Sequence, residues 1–184
     1  FGNTYVEISH NVIRDQLGWG VIASGSSQMS AMNNVIARNG TTGLAAWNAG
    51  VTGVFVNNLL VGNGTSFDEW VGKKTGLWYN VNSLAFVLAH NLAWDNEYFD
   101  ACSGGYPEGD PCQPLDFDGV DGNVIADPAF VDMAQNDWHL SPSSAALDTG
   151  AAWMDDIDGS PCDMGLYGGP DAPDQPVDGP GWNP

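Results

Sequence analysis

Apolar positions return along this chain in one short phrase, an asparagine followed by two apolar residues. It stands at Asn11-Val12-Ile13, Asn34-Val35-Ile36, Asn58-Leu59-Leu60, Asn91-Leu92-Ala93 and Asn123-Val124-Ile125. The asparagines are separated by 23, 24, 33 and 32 residues, so two intervals carry insertions. Three residues before each asparagine lie Ile8, Ala31, Phe55, Leu88 and Val120, all apolar. A period of roughly 20–30 residues marks units that bury their apolar faces only against their neighbours. The segments are short, β-branched and divided by Asn and Gly, which predicts strands and turns. The asparagine column suits side chains that bond the backbone at a tight corner, one above another.

A further strand is predicted after the phrase in the first three repeats, at Gly20–Ser24, Gly43–Trp47 and Gly76–Asn80. By alternation, Val21, Leu44 and Leu77 share one face with Ala23, Ala46 and Tyr79. Ile22, Ala45 and Trp78, then Ser24, Trp47 and Asn80, take the other. No stretch has a helical period. Strands at this spacing without hairpin turns favour parallel stacking over an antiparallel sandwich. Asn39-Gly40-Thr41 and Asn63-Gly64-Thr65 match the glycosylation acceptor pattern, but they fall at one place in successive repeats and read as turns.

The repeats span 1–126, with insertions predicted at 64–75 and 97–119, both leaving one corner and therefore side by side. Loops of such length in a compact fold tend to be functional. Residues 127–167 become irregular and rich in Pro and Asp, and are expected to cap the last repeat. Residues 168–184 read as a linker-like tail. The first strand opens abruptly after Phe1, so a preceding segment or another chain is expected at the first repeat.

Composition narrows the partners. Four Lys and Arg against 23 Asp and Glu give a formal net charge of -19. Nucleic acid is repelled by such a chain, as is an anionic membrane surface, and no apolar run approaches a membrane span. Neutral solutes and divalent cations remain. Cys102 and Cys112 bracket a Gly- and Pro-rich loop suited to a disulfide, which fits an exported protein. Cys162 is left over.

Candidate chemistry is spread thinly. Asp156, Asp158 and Asp163 alternate around Gly159, an arrangement that suits Ca²⁺, although the full loop and its closing Glu are missing. Asp116 and Asp118, near Asp95, offer carboxylates for a cation or for glycoside hydrolysis. The cations are Arg14, Arg38, Lys73 and Lys74. His10 and His90 share a column with Asn33 and Asn57 and read as corner hydrogen-bonders; His139 reads as structural. Trp47 and Trp78 are expected to face outward on adjacent repeats, with Trp19 and Trp70 close by and Asn80 beside them. Exposed indoles in a row would suit a sugar face; the alternative is a satellite core under an insertion.

The Asn-x-Ile repeats resemble the right-handed parallel β-helix proteins of the pectate-lyase-like group. Asp127-Pro-Ala-Phe-Val-Asp132, Trp138-His-Leu-Ser-Pro142, Ala145-Ala-Leu-Asp-Thr-Gly150 and Asp156-Ile-Asp-Gly-Ser-Pro161 resemble the end of secreted bacterial β-helix proteins of the choice-of-anchor Q type. That resemblance implies an all-β, right-handed solenoid of about five rungs and an extracellular or cell-surface location. It leaves the activity open. Lyases of this fold use a basic residue, often with Ca²⁺, which makes Lys73 and Arg38 the candidates beside Asp95, Asp116 and Asp118. The expected function is polysaccharide binding through Trp47, Trp78, Trp70, Trp19 and Asn80. The alternatives are the C-terminal part of a polysaccharide lyase or glycosidase, and an assembly subunit that stacks through its first rung.

Overall fold

The computed structural model describes residues 4–47, 50–66, 74–79, 86–104 and 112–173. The chain is all-β, with strands β1 (Tyr5–Ser9), β2 (Val12–Arg14), β3 (Val21–Ala23), β4 (Gln28–Met32), β5 (Val35–Ala37) and β6 (Leu44–Ala46). These are followed by β7 (Thr52–Val56), β8 (Leu59–Val61), β9 (Thr75–Tyr79), β10 (Phe86–Ala89), β11 (Leu92–Trp94) and β12 (Phe99–Ser103). The last four are β13 (Gln113–Pro114), β14 (Val124–Ile125), β15 (Phe130–Asp132) and β16 (Asp137–Leu140). Through β12, each strand pairs in parallel with the strand three places later. The result is three sheets ordered β1-β4-β7-β10, β14-β11-β8-β5-β2 and β13-β12-β9-β6-β3. Among the described residues no helix is long and apolar enough to cross a membrane.

One apolar core serves all three sheets. Ala31 and Phe55 come from the first sheet, Ile36, Leu60 and Ala93 from the second, and Leu44, Leu77 and Ala101 from the third. Registers such as Ile13–Ile36–Leu60–Ala93 and Val21–Leu44–Leu77 place like residues over like, which is why the apolar columns repeat. Phe117, almost fully buried, closes the core at its far end with Leu115 beside it.

Two asparagine ladders stand at the corners. In the first, the main-chain N–H of Asn11 donates to Oδ1 of Asn34, and Asn34, Asn58 and Asn91 repeat this with Asn58, Asn91 and Asn123, at 3.0–3.2 Å. Each Nδ2 donates to the same oxygen. The second ladder runs from the Gln16 N–H through Asn39 and Asn63 to Asn96, which donates in turn to Asp100. The residue before each ladder position is left-handed: His10, Asn33, Asn57 and His90 at φ of 53, 56, 58 and 52°, then Asp15, Arg38, Gly62 and Asp95 at 57, 54, 62 and 54°. Asn and Asp tolerate this region best. Asn39 and Asn63 are buried within the second ladder, so these Asn-Gly-Thr sites are turns.

Four expectations are corrected. Phe99–Ser103 is not inserted loop but the fourth strand of the third sheet, with Ala101 in the core and Phe99 and Cys102 outside. Its Asp and Cys masked the apolar signal. Val120 is 39% exposed and in no strand, so the first sheet stops at four strands.

The third correction concerns residues 127–167, which do not sit over the last repeat but run along the outside of the second sheet. Val35, Leu59 and Leu92 point outward there, against Trp138, Ala146 and Met164. The left-handed column holds this strap. His10 Nε2 donates to Gly168 O at 2.9 Å, Asn57 Oδ1 accepts from Ala151 N at 2.9 Å, and His90 Nδ1 donates to Thr149 O at 3.0 Å. Fourth, the tail begins later than 168, because Gly168 and Gly169 are buried against Asn33.

Candidate functional site

The predicted indole platform is a packed cluster. Trp78 lies in the outward row Ile22–Ala45–Trp78–Cys102 of the third sheet. Its side chain is fully buried, packed with Cys102, Cys112 and Phe99. Trp19 stacks on Trp78 at 5.7 Å, and Trp47 meets both edge-on, at 5.0 and 4.3 Å. Cys102 and Cys112 form the disulfide that helps cover this cluster, their Cα atoms 5.8 Å apart. Alternation placed Trp78 correctly on the face of its sheet away from the main core, but further side chains cover it. As an exposed sugar platform Trp78 is therefore corrected, while Trp47 and Trp19 remain half-buried. Trp70 and Asn80 lie outside the described residues.

Among the described residues, no hydrogen bond or ion pair joins one catalytic candidate to another. The Arg38 guanidinium is held by Asp15 through Nε and Nη2 (3.0 and 3.1 Å), by Met133 O at 2.9 Å and by Asn136 Oδ1 at 3.0 Å, and it lies over the Trp138 ring. It ties the strap to the repeats and has no role left as a base. Asp15 also pairs with Arg14, and these contacts, Arg38 first, hold its carboxyl at about 2. Asp118 accepts from Ile125 N at 2.9 Å and fixes β14, the end strand of the second sheet. Asp116 is exposed on the segment leading to Phe117, and Lys73 lies outside the described residues.

The strap carboxylates face backbone. Asp156 accepts from the N–H groups of Asp163 and Gly169, Asp158 from Ser160, and Asp163 from Asp148. Among the described residues no group of three or more His, Cys, Asp or Glu is arranged to hold a metal. Cys162 is buried and free; burial first, then the charge of Asp156, pushes its thiol up to about 12, so it is a poor nucleophile. Asn57 and Asn33 donate to its sulfur at 3.3 and 3.9 Å.

Asp163 carries the second large shift. Burial, followed by the charges of Asp156, Asp148 and Asp158, raises its carboxyl to about 6, against the Asp148 N–H that favours the charged form. The folded state therefore binds this proton more tightly than the unfolded chain. That contribution to stability is full below about 4 and lost as pH rises through about 6. Residues 127–173 hold nine Asp and no Lys or Arg; the basic side chain that shares a cavity with Asp163 is His139, which Asp137 holds. The chain should melt higher at pH 5 than at pH 7.5. Asp163→Asn should remove most of that difference and stabilise the chain at pH 7.5 by about 1 kcal/mol, allowing for water around a half-exposed group. Calorimetry at both pH values checks this; an unchanged difference in the variant contradicts it.

Two groupings were not singled out from the sequence. Asp137 and His139, two apart on β16, share a face, and Asp137 Oδ1 meets His139 Nδ1 at 2.5 Å while the imidazole stacks on Tyr167. His139 and Tyr167, with Asp163, Leu140 and Met164, line a cavity of about 160 Å³, smaller than the roughly 300 Å³ at which ligand pockets begin. Among the described residues no serine or cysteine lines it.

The second grouping is the turn Trp94-Asp95-Asn96-Glu97-Tyr98. Trp94 is 39% and Tyr98 60% exposed. Asp95 and Glu97, between them, are exposed as well. The half-buried member is Asn96, whose side chain closes the ladder by donating to Leu60 O and Asp100. Lys74 Nζ stands 6.0 Å from the Tyr98 ring, and a side chain at Gly64 would collide with Lys74 and Glu97, so three strands of chain converge here. The sequence signal was the outward row Arg14–Ala37–Val61–Trp94, legible by alternation.

No protein-family model, curated protein or solved structure matches the chain.

Proposed function

We propose that this chain is a right-handed parallel β-helix, secreted to the cell surface, that binds polysaccharide at the turn 94–98. The strand pairing at intervals of three and the two ladders support the solenoid. The disulfide and the resemblance of the closing phrases to the choice-of-anchor Q type support export. One observation carries the binding: Trp94 and Tyr98 stand exposed at either end of a turn whose two carboxylates are also exposed. Aromatic faces take the apolar face of a sugar ring, and carboxylates between them accept its hydroxyls. A neutral glycan suits the net charge of -19 better than a polyanion, which would need Ca²⁺ to bridge it.

Oligosaccharides titrated against the intrinsic fluorescence, with and without Ca²⁺, should give saturable binding. Trp94→Ala with Tyr98→Ala should weaken it at least tenfold while leaving the melting temperature within a few degrees. Absence of binding across a glycan array, or full affinity in the double variant, would end this reading.

A further inference from the structure

The first ladder is open at one end. Oδ1 of Asn34, Asn58, Asn91 and Asn123 each accepts two hydrogen bonds, one from the N–H and one from the Nδ2 of the preceding ladder asparagine. Asn11 makes its donations, to Asn34 Oδ1 and Ser9 O, but among the described residues nothing donates to its own Oδ1. The three strands around it, β1, β2 and β3, are the terminal strands of their sheets, each with one edge unpaired by any described strand.

The core opens at the same place. Val6 occupies the column of Met29, yet Val6 is 41% exposed and Met29 3%. Ile8 and Ile13 are likewise half-buried, while their register partners Ala31 and Ile36 are fully buried. Edge backbone, an empty side-chain acceptor and an uncovered apolar core therefore coincide on one surface, and exposed parallel edges of this kind are templates for strand addition.

We infer that this surface docks one further polypeptide coil, running parallel to β1 and β2 and presenting an asparagine whose N–H and Nδ2 are free to donate to Asn11 Oδ1. A second copy of this chain does not meet that requirement. At the far end Asn123 spends its N–H and Nδ2 on Val120 O at 2.9 and 2.7 Å, and its Nδ2 also reaches Leu88 O. The third sheet ends there in the antiparallel β13, and Phe117 fills the core. Two copies meeting through their first repeats would set acceptor against acceptor at Asn11. The partner is a segment with the Asn-apolar-apolar phrase and unspent donors.

A synthetic peptide with the sequence of residues 27–38, which spans β4, the corner and β5, is the probe. Added to the intact protein it should bind and slow amide hydrogen exchange in β1 and β2. The same peptide carrying Asn34→Leu should bind at least tenfold more weakly. So should the original peptide with the Asn11→Leu protein, whose exposed substitution leaves folding intact. No protection at about 1 mM peptide, equal binding by the Asn34→Leu peptide, or a free protein already dimeric through β1 and β2 would each overturn the inference. None of these readouts depends on glycan binding.

Discussion

Asn58→Leu should cost most of the chain's stability. Asn58 is fully buried at the centre of the first ladder. Its Oδ1 accepts from Asn34 N and Nδ2 at 3.2 and 3.0 Å, and its Nδ2 reaches Ala31 O at 2.8 Å and Asn91 Oδ1 at 2.9 Å. Leucine branches at Cγ as asparagine does but answers none of these groups, and water has no access to replace it. Each orphaned buried donor costs about 1–3 kcal/mol, so two lost acceptor contacts and the abandoned carbonyls sum to on the order of 4 kcal/mol. Typical domains hold only about 5–15 kcal/mol in total. The variant should unfold at far lower urea than wild type, or fail to accumulate folded. Asn11→Leu, at the exposed end of the same ladder, should cost under about 1 kcal/mol because water can serve the groups it abandons. Equal losses at the two positions would contradict a ladder whose strength comes from burial.

The contrast between these two asparagines also explains what could be read in advance. A ladder needs one residue type at one corner in every repeat, so it writes itself into the sequence as a period, and the parallel registers follow from it. Alternation then assigned Leu44 and Leu77 to the core and Trp78 to the outside. The strap was not legible, because the outward valines and leucines of the second sheet look the same whether solvent or another layer covers them. Val35, Leu59 and Leu92 suit a strand in either case, although a strand apolar on both faces signals cover on both sides. His10 and His90 were recognised as corner hydrogen-bonders, but their acceptors lie 158 and 59 residues away, in a segment with no periodicity of its own. The candidate turn failed to stand out for a related reason. Trp94 and Tyr98 flank an ordinary ladder asparagine, and only the cover over Trp78 makes their exposure distinctive.

Trp78→Ala carries the second large effect and separates structure from recognition. The indole is fully buried between Ala45 and Cys102 in its row, with Trp19 stacked on it and Trp47 against it at 4.3 Å. Removing it leaves a cavity under the disulfide and frees two rings from their partner. Large aromatic truncations in a core cost about 3–5 kcal/mol, which in a chain of this size lowers the melting temperature by about 6–20 °C. Trp19 and Trp47 lose their apolar surroundings, so the emission of the folded variant should shift to the red. Glycan affinity, measured at a temperature where the variant is folded, should stay within twofold of wild type because Trp94 and Tyr98 are not among the rings packed on Trp78. If instead affinity collapsed while stability held, Trp78 would touch sugar. The burial that takes it out of the binding surface would then have to open in solution.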